Sequence, residues 1–92
     1  MRVLWLSLAV DDLETIVDFI AQDNPAASAG EAEKVLDVVG RLAAFPSSGR
    51  PGRVPGTREL IVSSYIIAYR VKGDDVQILR VLHAARTWPE DL

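Results

Sequence analysis

Cysteine is absent from the 92 residues. With it go disulfide staples, thiolate zinc sites, iron–sulfur clusters and cysteine nucleophiles, a usage that fits a reducing compartment. Histidine occurs once, as His83, so no multi-histidine metal centre can form, and neither a metal nor a cofactor is expected. Long hydrophobic runs are missing as well. No stretch approaches the roughly 18–20 apolar residues that span a bilayer, and the opening Met1-Arg2-Val3-Leu4-Trp5-Leu6-Ser7 lacks the extended apolar core of a leader peptide. The expectation is a cytoplasmic protein without a membrane partner. The chain also lacks the strong positive charge that usually accompanies phosphate binding: its net charge is −3, so direct DNA binding by this chain alone is not expected. Finally, 92 residues leave no room for a second domain, and residues 1–92 are read as one domain with a modest core.

What is present is organised unevenly. Residues 1–49 carry a balance of −5 and residues 50–92 a balance of +2. Between Leu42 and Arg58 lie Arg50, Arg53 and Arg58 with no acid among them, which predicts a local positive patch on an acidic protein.

The apolar spacing predicts the elements. Val3-Leu4-Trp5-Leu6 reads as a short strand, with Ser7 as a cap for the first helix. Ala9, Leu13, Ile16, Val17 and Ile20 fall on one face of that helix. Asp11, Asp12, Glu14 and Asp18 point elsewhere, with acids in the first turns favouring the helix dipole. Asn24-Pro25 ends this helix and starts another, Asn24 as N-cap and Pro25 at the first helical position. The second helix sets Ala32, Val35, Leu36, Val39, Leu42 and Ala43 on its buried stripe and ends near Phe45-Pro46. Gly30 and Gly40 each cost it about 1 kcal/mol against alanine, so either its boundaries shift or a close contact needs a bare backbone there.

The twelve residues from Pro46 to Thr57 hold three prolines and three glycines, and can form neither a helix nor a central strand. They read as an ordered surface loop. Strands come next at Arg58 to Val62, Tyr65 to Val71 and Val76 to His83, joined by turns at Ser63-Ser64 and around Gly73-Asp74. In the last strand both alternating sets are apolar, Val76, Ile78 and Leu82 against Leu79 and Val81, which predicts a central position. The fold class is α+β: an N-terminal strand, an antiparallel two-helix hairpin, then a three-stranded antiparallel meander, giving a mostly antiparallel four-stranded sheet with the hairpin on one face.

The ordered set Trp5, Asp12-Leu13, Ile16, Ile20, Asn24-Pro25-Ala26-Ala27, Phe45-Pro46, Gly49-Arg50-Pro51-Gly52, Val54-Pro55-Gly56-Thr57-Arg58-Glu59-Leu60, Tyr69-Arg70-Val71 and Ile78-Leu79-Arg80-Val81-Leu82-His83, with Arg86, Trp88 and Pro89, resembles the RelE/ParE superfamily of toxins. The resemblance covers essentially the whole chain and lies nearest the ParE, or plasmid-stabilisation, branch. It implies the RelE/ParE-like fold and a growth-inhibiting toxin of a bacterial type II toxin–antitoxin module, neutralised by a cognate antitoxin of ParD-like or RelB-like type.

Two targets divide that superfamily. RelE-like members cut mRNA on the ribosome, and ParE-like members act on DNA gyrase. RNA cleavage needs a proton acceptor, a proton donor and cations around the phosphate; here Arg58, Arg80 and Arg86 would supply the cations, His83 is the side chain of suitable pKa and Glu59 the acid near the arginines in sequence. The RelE-like pattern, however, brings further lysines and a C-terminal tyrosine or histidine. This chain has only Lys72 in its second half and ends Trp-Pro-Glu-Asp-Leu. The reading is therefore a gyrase-directed toxin without catalysis of its own, with a ribosome-dependent endoribonuclease, or an inactive relative that only binds its partner, as alternatives. Arg50, Arg53, Arg58, Arg86 and Trp88 are the target-binding candidates.

Overall fold

The computed structural model describes residues 1–84. The chain runs β1 (Arg2–Trp5), α1 (Ser7–Asp23), α2 (Pro25–Arg41), β2 (Arg50–Pro51), β3 (Arg58–Val62), β4 (Tyr65–Lys72) and β5 (Asp75–His83). The sheet has five strands in the order β1-β5-β4-β3-β2 rather than the four expected, because the first two residues of the Arg50-Pro51-Gly52 stretch pair with Glu59 and Arg58 at the sheet edge. An edge is where a proline-containing strand can sit, since one side needs no donor. β1 is parallel to β5, and the other neighbours are antiparallel. The expected central place of β5 is met, between β1 and β4.

The helical hairpin covers one face. Asn24 caps α2 as expected, its Oδ1 accepting from the Ala27 N–H at 3.1 Å. Ser7 does not cap α1: it is the first helical residue, Leu6 holds the cap position and no side-chain cap forms. The helix starts earlier than the spacing implied, so its acids fall beyond the first turn and Asp12 is left for another task. The hairpin is pinned where the Ser28 hydroxyl, buried between helices, donates to the Val17 carbonyl at 2.7 Å. Ala9, Val35, Val39 and Leu42 join Ile67, Tyr69, Val76, Ile78 and Val81 in the main core. Leu36 is not part of that stripe and is 50% exposed, because α2 turns its 28, 35, 39 and 42 positions inward.

A bulge in β5 decides which residues of that strand face the helices. Ala68 pairs with Arg80 and Tyr69 with Ile78, so Leu79 has no partner and the alternation slips by one. Val81 therefore joins Val76 and Ile78 on the helix side, and Leu82 turns to the opposite face. There it packs with Ala68 under Val54 of the Pro/Gly loop.

Neither reason offered holds for Gly30, which lies inside α2 where a Cβ would meet nothing within 4 Å. At Gly40 the boundary does shift: α2 ends at Arg41 and not near Phe45-Pro46, so Gly40 falls in the last turn, again with open space around a Cβ. Gly30→Ala and Gly40→Ala are each expected to stabilise the chain by about 0.5–1 kcal/mol, raising the thermal midpoint by several degrees. A fall in either midpoint would mean the open helix face is in contact with something else.

Candidate functional site

The Pro/Gly loop is fastened to the sheet by three side chains. Tyr69, with no solvent exposure, receives the Gly49 N–H on its hydroxyl at 2.8 Å and donates that hydroxyl to the Pro46 carbonyl at 2.8 Å. Glycine is needed at 49 because a Cβ would stand 2.6 Å from the Tyr69 hydroxyl and 3.0 Å from the Glu59 carbonyl. Arg58, half-buried, donates through Nη1 to the Gly49 carbonyl at 2.8 Å and the Ser47 carbonyl at 3.4 Å. The third fastening is Glu59, whose side chain is 1% exposed. Its Oε2 accepts from the Arg53 backbone N–H at 2.9 Å, and its Oε1 lies 3.3 Å from Arg50 Nη2 and 4.0 Å from Arg53 Nε. The Arg50 and Arg53 side chains remain about half exposed. Further round, Gly52 N–H donates to the Thr57 carbonyl at 2.8 Å and the Thr57 hydroxyl to the Val54 carbonyl at 2.6 Å, so the loop closes on itself.

A second polar centre lies where β1 ends. The last β1 contact to β5 is Leu6 N–H to the Ile78 carbonyl at 3.0 Å, and α1 crosses beyond it. Asp12 of α1 covers that stretch of strand edge. Its carboxylate accepts from the Val81 N–H at 2.9 Å and from Arg80 through Nε at 2.7 Å and Nη2 at 2.9 Å. Both side chains are nearly dry, 7% exposed for Arg80 and 12% for Asp12. This is a forked, charge-assisted pair supported by a backbone donor, the geometry in which a buried ion pair holds.

His83 is exposed at the end of β5 and meets the Tyr65 ring edge-on, centroids 5.7 Å apart. It pairs with Tyr65 on β4, whereas Arg58 pairs with Tyr69. Four residues along and two strands across place the two backbones about 16 Å apart. At the opposite end of the sheet, Arg2 holds the partly buried Asp75 carboxyl below the ordinary carboxylate range through a hydrogen bond at 3.0 Å, which ties β1 to its register.

The structure thus brings Arg50, Arg53 and Arg58 to one edge of the sheet and leaves Arg80 and His83 elsewhere. Arg86 and Trp88 lie outside the described residues. The helix acid Asp12 serves Arg80, and Arg58 is held by loop carbonyls instead of a carboxylate. Spacing marks Asp12 only as a residue off the apolar face; a signal for its pairing would have required the bulge. Glu59, expected as the acid beside the arginines, is instead buried as the anchor of the loop.

The family model described as the ParE toxin of the type II toxin–antitoxin system, parDE, matches residues 3–88. The chain belongs to the ParE toxin family. Y4kP of Sinorhizobium fredii, named a putative toxin, is 42% identical to this toxin over 99% of its length and 96% of the relative's. Toxin RelE2 of Caulobacter vibrioides is 34% identical, covering 92% of this toxin and 97% of its own chain. Among solved structures, the chromosomal ParDE toxin–antitoxin system from P. aeruginosa superposes with a TM-score of 0.82 at 31% identity, over 90% of this toxin and 95% of that chain. The expected superfamily and fold are both met. Among the described residues no helix of this ParE-family toxin is long and apolar enough to cross a membrane.

Proposed function

We propose that this toxin arrests bacterial growth by binding DNA gyrase, without a catalytic step of its own, and is held silent in the cytoplasm by a ParD-like or RelB-like antitoxin. The observation that carries the reading is the commitment of the groups an RNA cleavage would use. Arg80 is locked to Asp12 in a nearly dry pair, Arg58 is spent on loop carbonyls, and the His83 and Arg58 backbones are about 16 Å apart across the sheet. General acid–base catalysis needs its members within hydrogen-bond reach of one reacting phosphate. The net charge of −3 supports the same reading, since docking on ribosomal RNA favours a basic surface.

Target contact is assigned to the half-exposed Arg50 and Arg53, with Arg58 holding the loop that presents them and Arg86 and Trp88 as the candidates beyond the described residues. Surface for an antitoxin is available on the helical hairpin. Phe19 is 69% exposed, and an open groove of about 360 Å³ is lined by Leu13, Glu14, Val17 and Asp18. Exposed apolar surface of this kind marks partner sites.

Purified toxin is expected to inhibit gyrase supercoiling and to leave ribosome-bound mRNA uncut in a translating extract. Codon-phased cleavage with gyrase unaffected would replace this reading with the endoribonuclease. Unimpaired growth on expression without antitoxin would replace both with an interaction module.

A further inference from the structure

One buried carboxylate stands between two arginines that it does not saturate. Glu59 is gripped firmly by the Arg53 backbone N–H at 2.9 Å, but its contacts to the guanidiniums are loose, 3.3 Å to Arg50 and 4.0 Å to Arg53. The Arg53 guanidinium donates no hydrogen bond among the described residues, and Arg50 uses one donor of five. Arg58, next to Glu59 on β3, binds only neutral carbonyls among the described residues. Three arginines against one glutamate leave +2 at this edge, and −5 on the remainder of a chain whose total is −3.

The loop that presents these cations is prepared in advance. It is closed internally by Gly52 and Thr57, stitched to Tyr69 at Gly49 and seated on Ala68 and Leu82 through Val54. A ligand meeting it has little chain ordering left to supply, which is how rigid loops gain affinity. The Glu59 carboxylate is held chiefly by the Arg53 backbone N–H, and the half-exposed heads of Arg50 and Arg53 keep most of their donors for a second acceptor while balancing its charge.

We infer that the Arg50–Arg53 face of the loop docks a short acidic peptide segment of a partner protein, whose carboxylates take the forked donors that Glu59 leaves unfilled. Planar guanidiniums match carboxylates in this paired fashion. A polynucleotide carries its charge far beyond one loop and would lie along the −5 remainder of the surface, whereas a short acidic segment meets the positive edge alone within a Debye length of about 8–10 Å. The inference deepens the target-contact role proposed for these arginines by naming the chemistry of what they contact.

The test is fluorescence anisotropy with a labelled octaglutamate peptide and, separately, a labelled DNA duplex, across a salt series. The peptide is expected to bind the toxin at low salt and to weaken as salt rises. Arg53→Ala and Arg50→Ala are each expected to weaken it about tenfold, and Lys34→Ala and Lys72→Ala to leave it unchanged. Backbone amide shifts on titrating the unmodified toxin should centre on residues 50–59, which keeps the test decisive should a variant fold poorly. Tighter binding of the duplex than of the peptide would overturn the inference, as would peptide shifts centred on the helices, or no binding. The assay contains neither gyrase nor ribosome, so a failed supercoiling experiment leaves a positive peptide result standing, and the reverse.

Discussion

Arg80→Ala is expected to cost about 3–5 kcal/mol, because it strands the Asp12 carboxylate in a nearly dry site with only the Val81 N–H for company. At about 4–8 °C per kcal/mol for a domain of this size, the thermal midpoint should fall by at least about 12 °C. Asp12→Ala should be comparably harmful, since it leaves a buried guanidinium and opens the β5 edge where β1 has ended. Replacing both by leucine should cost much less than the two single losses added together, because the two residues share one interaction and an apolar pair leaves no buried charge stripped of it. Thermal denaturation of the three variants checks this. A shift below about 4 °C for Arg80→Ala would show that water reaches the pair, and would return Arg80 to the groups available for a phosphate.

Tyr69→Ala should cost about 3–5 kcal/mol, the usual range for emptying a large aromatic site in a core. Tyr69→Phe separates packing from hydrogen bonding. The ring still fills its place among Ile67, Ile78 and Val39, but the Gly49 N–H and the Pro46 carbonyl lose their shared partner. That loss should cost about 1–3 kcal/mol and act mainly on the loop. Trypsin reads the difference at Arg53-Val54, since Arg50 is followed by proline. Cleavage there should accelerate in Tyr69→Phe well below its melting temperature, while β4 and β5 stay intact. Midpoints and cleavage rates unchanged by Tyr69→Phe would show that Arg58 and Glu59 hold the loop without the hydroxyl.

Both experiments bear on function through the same loop. Tyr69, Glu59 and Gly49 fix the backbone from which Arg50 and Arg53 project, so a loosened loop should weaken target contact even with every arginine in place. Such variants separate the holding of the loop from the contact that it makes.

The amino-acid order by itself determined the element plan. Asn24-Pro25 divides two helices because asparagine caps and proline cannot continue a helix. The β3 segment Arg58–Val62 is bounded by a proline- and glycine-rich stretch and by Ser63-Ser64, so its limits were legible to the residue. The composition of residues 46–57 likewise announced an ordered loop bearing arginines. These are local properties, set by backbone sterics and spacing along the chain.

Only the tertiary structure decided what the polar side chains do. The β5 bulge at Leu79 depends on register against β4, and it alone sends Val81 inward and Leu82 outward. Asp12 reads as a solvent-facing helix residue until β1 stops at Trp5 and leaves the Val81 N–H without a strand partner. Arg80 and Asp12 are 68 residues apart, and Tyr69 reaches Gly49 across 20. Leu36 matched a helical stripe but lies on the exposed side, because the face that α2 buries centres on Ser28, Val35 and Val39, and the spacing alone drew the stripe one residue too wide. Partner choice for a charged or hydroxyl group is made by distance in space, and periodicity along one element carries no information about what another element brings within about 3 Å of it.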